Sequence, residues 1–297
     1  MNESPILREY LEHGRSESCP IYDMHGHIGP FYGGYLPAAQ IDFMRKQMKR
    51  CGVKMMLCSH HIALNYDMDR GNEVMQKVLD EYPQEFLGYW LINPNHPDLI
   101  ARDLKHFSQA RRFVGFKFWP DYHLTPVNSR PYADTLHYAD DHCLLVKVHT
   151  FGHSPFNSPD QFGDAADRYP NTTFLMAHCG YGEWEKSATI ATDLPNVYLD
   201  ITSIVVAIDF KVMPMGTFMP IGASAGAEQV NGVIEYFCET AGSEKVVFGS
   251  DLPWYSQHYH AGAVLFAHIT DDDRHNIMHR NAERILTEHL GSDHESD

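Results

Sequence analysis

The sequence predicts an α/β chain folded as one distorted (β/α)₈ TIM barrel, with its chemistry at the C-terminal ends of the strands. Three observations predict it. Short apolar runs bounded by Gly, Pro, Asn or Asp recur eight times along the 297 residues. A helix-like pattern follows almost every run, the alternation that builds a parallel barrel. The competing doubly wound sheet usually carries a Gly-rich phosphate turn after its first strand, and GHIGPFYGGY does not match GxGxxG in that setting.

The elements are justified in order. PIYDMHG (20–26) is the first strand, and AAQIDFMRKQMKRCG (38–52) the first helix of the series, because Ile41, Met44 and Met48 fall at i, i+3 and i+7 and Gly52 stops it. VKMMLCS (53–59) precedes a helix over 69–83, FLGYWLI (86–92) one over 97–110, and FVGFKFW (113–119) one over 131–143. LLVKVHT (144–150) is followed by a helix over 159–169, and TFLMAHC (173–179) by one over 181–193. VYLDITS (197–203) leads into a long connection, 204–229, rich in Gly, Met and Pro, before a helix over 228–241. KVVFGSD (245–251) and a helix over 272–289 close the series. The whole of 1–297 is read as one domain, with an N-terminal extension (1–19), an insertion after strand seven (204–229) and a flexible tail (291–297). The insertion reads as a lid, as a contact between subunits of a homo-oligomer, or as a packed extra helix with no catalytic part.

Composition removes several classes of function. A net charge of −16 argues against nucleic acid, because little here would replace phosphate counterions. No apolar run approaches the ~18 residues of a membrane helix, so no membrane partner is expected. The opening residues lack the basic and apolar regions of a secretory signal, and the six cysteines are scattered rather than framed for disulfides. A cytoplasmic protein acting on a small molecule is the expectation.

In a barrel the strand C-termini build the site, so the residues there carry the functional reading. Strand one ends His25-Gly26-His27, strand five in His149, strand six in His178 and strand eight in Asp251, while strand four carries Lys117 in an apolar run. His25 and His27 share a face because side chains alternate along a strand. Alone, H-x-H also reads as two polar residues opening a loop, and GSDLP as a turn with a capping Asp. Together, His25, His27, His149, His178 and Asp251 form a donor set suited to a divalent cation, most naturally Zn²⁺ and alternatively Mn²⁺. His60, Trp119, Tyr122 and Trp254 also stand near strand ends and are candidates for substrate contact.

The segments IYDMHGHIGP, VKVHTFG, FLMAHCG and VVFGSDLP resemble the metal-site motifs of the amidohydrolase superfamily, and IMHRNAERIL (277–286) resembles the final helix of its amidohydrolase-related branch. That branch also contains aminocarboxymuconate-semialdehyde decarboxylase-like decarboxylases and lactonases. The resemblance implies two alternative arrangements. With one metal, His25, His27, His149 and Asp251 are ligands and His178 contacts the activated water or substrate; with two, His149 and His178 bind the second and Lys117 bridges as a carbamate. The single-metal form is preferred, with Lys117 ion-paired or facing a substrate anion. A metal lowers the pKa of a bound water to about 7, and Asp251 would shuttle its proton. The expected activity is hydrolysis of an ester, lactone or amide, with non-oxidative decarboxylation of a small aromatic or unsaturated acid as the alternative. A barrel that binds metal without catalysis is a third reading, which the full donor set disfavours.

Overall fold

The computed structural model describes residues 4–65, 67–204 and 227–290. Eight strands form one parallel sheet in sequence order: β1 (Ile21–Ile28), β2 (Val53–His60), β3 (Phe86–Leu91), β4 (Phe113–Phe118), β5 (Leu145–Phe151), β6 (Thr173–Tyr181), β7 (Val197–Asp200) and β8 (Val246–Val247). Parallel neighbours require crossovers, which the helices supply. The helices Ile41–Cys51, Met68–Glu81, Pro97–Phe107, Arg130–Asp141, Pro159–Arg168, Trp184–Asp193 and Ala227–Thr240 follow β1 to β7 in turn. The predicted helix over 272–289 is present as Asp271–His275, a π-turn at Asn276–Arg280, and Asn281–Leu290.

β8 is shorter than its apolar run predicts, because a carboxylate takes over from the ladder. The backbone beyond it returns to β1 through Met24 N to Phe248 O (2.9 Å), Asp251 N to His25 O (2.8 Å) and His27 N to Leu252 O (2.8 Å). The buried Asp23 carboxylate accepts from Ser250 N (3.0 Å), Ser250 Oγ (2.5 Å) and Gln257 Nε2 (2.7 Å). Burial raises Asp23 to about 6, against the pull of these donors. A polar seam therefore closes the barrel next to the site.

Two apolar layers follow from strand alternation. Met24, Leu57, Leu87, Tyr89, Leu145, Leu175, Tyr198 and Val247 fill the interior, where Ala282, Ile285 and Leu286 of the last helix pack against them. Met56, Phe86, Phe116, Val146, Val148, Phe174 and Met176 face outward into the helices. Residues 1–19 include a helix, Pro5–His13, capped at its start by Ser4 Oγ and stopped by Gly14 at φ 72. Its Tyr10 hydroxyl meets Cys51 Sγ at 2.7 Å. Helices at His61–Asn65, Pro120–His123 and Gln257–Phe266 were not expected from periodicity; each lies in a segment after a strand. The 204–229 connection lies outside the described residues except for its ends, as does the 291–297 tail. Among the described residues no helix is long and apolar enough to cross a membrane.

Burial also predicts acid sensitivity. His60 and His123 are both drawn down to about 4, chiefly by desolvation. A histidine depressed in the folded state leaves the unfolded chain to bind protons first. The stability it contributes is complete above pH 6.5 and is lost as pH falls toward 4, by roughly 3 kcal/mol per group at full extent. Denaturant midpoints should fall between pH 7 and pH 4.5, and His123→Gln should flatten that dependence.

Candidate metal centre

Each strand that carries a donor brings it to the site through a local feature. The β1–β2 register shifts between Asp23 and Gly26, and the bulged strand turns both His25 and His27 inward. Gly26 faces outward, where a Cβ would lie 1.9 Å from Met56 Cε. On β5, Leu145, Lys147 and His149 alternate onto the interior face, as expected. On β6, strict alternation from Leu175 would put Ala177 inside and His178 outside. His178 and Cys179 instead adopt φ of 65° and 50°, and this left-handed step swings the imidazole inward. Asp251 stands at φ 61 beyond β8, which aims its carboxylate at the histidines of β1.

His25, His27 and Asp251 each offer a ligand atom, and these atoms lie within 4.8 Å of one another. Asp251 Oδ1 is 3.2 Å from His27 Nε2 and 3.6 Å from His25 Nε2. The other ring nitrogens are held from behind. His25 Nδ1 donates to Asp200 Oδ2 at 2.7 Å, His27 Nδ1 bonds Ser59 Oγ at 2.9 Å, and His178 Nδ1 bonds Ser203 Oγ at 3.1 Å. A carboxylate on Nδ1 fixes the tautomer and leaves the Nε2 lone pair free, the form that ligates a metal. Burial, then the Lys147 charge, holds His25 well below its ordinary value; burial and His61 do the same for His27. Neutral imidazoles, one carboxylate and anchored tautomers fit a divalent cation.

His149 and His178 do not fall in that tight group. His178 Nε2 and His149 Nδ1 meet each other at 2.9 Å, and the His178 ring lies 5.1 Å from that of His25. The five expected donors therefore divide into a triad and an adjoining pair.

Lys117 and Lys147 both point into the barrel and are fully buried. Lys117 Nζ lies 3.5 Å from His25 Nε2. Lys147 Nζ donates to Met24 O at 2.7 Å and sits 3.9 Å from Asp200 Oδ2. Desolvation, then the Lys147 charge, push Lys117 well below the usual lysine range, while Lys147 falls to about 8. An ammonium is costly in this setting, so Lys117 is held toward its neutral amine.

Aromatic residues frame the histidines. Trp119, 4% exposed, stacks on the exposed Tyr122 at 4.1 Å and meets His27 and His149 edge-on or tilted at 5.7 and 5.5 Å. Trp254 donates from Nε1 to His61 Nε2 at 3.2 Å and packs on Phe31 at 4.9 Å. A groove lined by Tyr32, Leu64, Met68, Asn93, Asn95 and Tyr122 adjoins this wall.

His60 is not brought to the cluster. Leu57 and Ser59 face inward on β2, so His60 faces the other way, beneath Gly29, where a Cβ would be 2.5 Å from its ring. Its neighbour His61 stacks on His27 at 5.0 Å, with Nδ1 donating to Gly29 O at 2.6 Å. Sequence reasoning missed Asp200, Asp23, Ser59 and Ser203. A charged residue inside the apolar run VYLD was a signal for Asp200; nothing in the sequence marked the two serines. Gly249 is the counterpart of Asp200, since a Cβ there would lie 2.0 Å from Asp200 Oδ1.

An eight-stranded barrel with imidazoles and a carboxylate converging at its strand ends defines a class of metal-centred α/β barrel proteins. The family model described as Amidohydrolase matches residues 22–287, and the chain belongs to that family. No curated protein matches the sequence. Several solved structures share the fold. An amidohydrolase from Burkholderia multivorans with bound HEPES has TM-score 0.70 and 13% identity, covering 90% of this chain and 99% of its own. A dihydroxybenzoic acid decarboxylase from Polaromonas sp. JS666, with bound manganese and 2-nitroresorcinol, has TM-score 0.68 and 15% identity over 94% and 100%. The 2,6-dihydroxybenzoate decarboxylase from Rhizobium has TM-score 0.67 and 15% identity over 91% and 99%. At these identities the likeness is one of fold. The chain is thus an enzyme of the amidohydrolase superfamily, whose reaction is a separate question.

Proposed function

We propose that the protein is a hydrolase of a small ester, lactone or amide that depends on one divalent metal, Zn²⁺ first and Mn²⁺ as the alternative. The observation that carries this reading is Asp251, whose carboxylate reaches both β1 imidazoles while 13% of its side chain stays exposed. His25, His27 and Asp251 would hold the metal, with His149 as a fourth donor once its contact with His178 is released. A cation bound there supplies a Lewis acid that polarises a substrate oxygen and acidifies a water. Asp251 takes the water proton on a carboxylate oxygen and returns it to the leaving group. His178, oriented by Ser203, donates from Nε2 toward the substrate carbonyl. Trp119, Tyr122 and Trp254 form the wall against which a planar substrate lies. Lys117 remains unmodified and faces the anionic end of the substrate.

Decarboxylation of a small aromatic acid is the second reading. It is favoured by the pairing of an aromatic stack with a buried lysine, and the decarboxylases among the similar structures are consistent with it. Metal-replete enzyme should be given lactones, esters and amides beside aromatic carboxylates, measuring acid release and CO₂ separately. Acid release without CO₂ supports hydrolysis; CO₂ release from the carboxylates alone replaces it with the second reading; no reaction in either set defeats both. Metal content at the Asp251 cluster and intact mass test the single-metal form: one metal at that cluster and no added CO₂ mass is expected.

A further inference from the structure

The end of the barrel opposite Asp251 carries a second group of soft donors. Cys19 lies just before β1, buried at 4% exposure, its backbone N donating to Ser16 Oγ at 3.0 Å. His275 and His279 stand one turn apart where the last helix passes through its π-turn. One ligand atom from each of the three lies within 4.8 Å of the others. His275 Nδ1 and His279 Nε2 face each other at 3.0 Å. Two imidazoles on one tetrahedral zinc stand about 3.4 Å apart, given Zn–N near 2.0–2.1 Å.

The surroundings resemble those of a metal ligand more than those of an ordinary histidine pair. His279 Nδ1 donates to Glu283 Oε2 at 3.0 Å, which directs the Nε2 lone pair at His275 and Cys19. Burial, helped by Asp271 and Glu9, pushes the Cys19 thiol up to about 12 against the pull of Arg280, which itself pairs with Asp272 at 3.2 Å, so the thiol keeps its proton until a metal displaces it. π-turns inside α-helices are frequent at functional sites. Both histidines are only partly buried, which leaves an entry path and room for water as a fourth ligand.

We propose that Cys19, His275 and His279 form a second metal site, for a thiophilic divalent cation such as zinc, which ties the segment entering β1 to the final helix. A thiolate and two imidazoles select such a cation over magnesium or calcium. The role is structural, because the site lies at the end of the strands away from the Asp251 cluster. Loading releases the thiol proton as the Cys19 sulfur bonds to the metal.

The test uses the full chain, stripped with a chelator and titrated with Co²⁺. A near-ultraviolet thiolate-to-cobalt charge-transfer band should rise to saturation within two equivalents, one for each centre, vanish in Cys19→Ser and persist in Asp251→Asn. His275→Asn should weaken the cobalt affinity read from that band at least tenfold. No band in folded wild-type protein at saturating Co²⁺, or a band that survives in Cys19→Ser, overturns the proposal. Should Cys19→Ser fail to fold, unchanged affinity in His275→Asn overturns it equally.

Discussion

Replacing Asp251 by Asn should lower kcat by about 10²–10⁴-fold while leaving the fold intact, the range expected when a positioned proton-transfer group is removed. The amide has nearly the same shape, and the backbone bonds that hold the loop, Asp251 N to His25 O and Trp254 N to Asp251 O, do not involve the side chain. Two things are lost. The amide is a poorer ligand beside His25 and His27, and it takes no proton at neutral pH. Kinetics with excess metal separate these, since saturating metal restores occupancy but not proton transfer. Circular dichroism and thermal melts should match wild type. Near-normal kcat in metal-saturated Asp251→Asn would remove Asp251 from the reaction.

Asp200→Asn should weaken metal affinity by about 10–100-fold, although Asp200 is not itself expected to touch the metal. Its carboxylate accepts from His25 Nδ1 and lies near Lys147, all within a fully buried pocket. An amide can still meet His25 but no longer carries the charge that favours the Nδ1–H tautomer and offsets the lysine. Removing one member of such a buried set typically costs about 3–5 kcal/mol, because the remaining charge is stranded. A chelator-competition titration reads the affinity, and a denaturant melt reads the stability. Both should fall. An unchanged metal affinity would mean that His25 is oriented by packing alone.

Much of this architecture was legible from local rules. All eight strands sit where apolar runs bounded by turn residues put them, because a strand buried on both faces must be apolar along its length. The helices that follow them carry the 3.6-residue pattern for the complementary reason: one stripe packs on the sheet and the other meets solvent. The H-x-H pair was readable because two residues on one strand keep their relation whatever the rest of the chain does.

What local rules left open shares a cause. His60 and His61 are adjacent and chemically identical, and only the parity of β2, set by Leu57 and Ser59 inside the barrel, decides that His61 faces the site. The extra helices at His61–Asn65 and Pro120–His123 pack against strands β2 and β5, and Gln257–Phe266 packs against the helices Ile41–Cys51 and Ala227–Thr240, so tertiary contacts rather than their own periodicity hold them. The short β8 reflects a competition that no window of sequence contains, in which Asp23 on β1 captures Ser250 across the closing seam.

The sequence alone determined the barrel, the strand ends that could carry chemistry and the types of donor standing there, because these depend on neighbours within one element. Tertiary structure decided which donors converge. It grouped His25 and His27 with Asp251, paired His149 with His178, supplied Asp200 from β7 as the anchor of His25, and turned His178 inward through a left-handed backbone step that strict alternation forbids. Those relations join residues up to 226 positions apart, Asp251 and His25 among them, and they exist only once the barrel has closed.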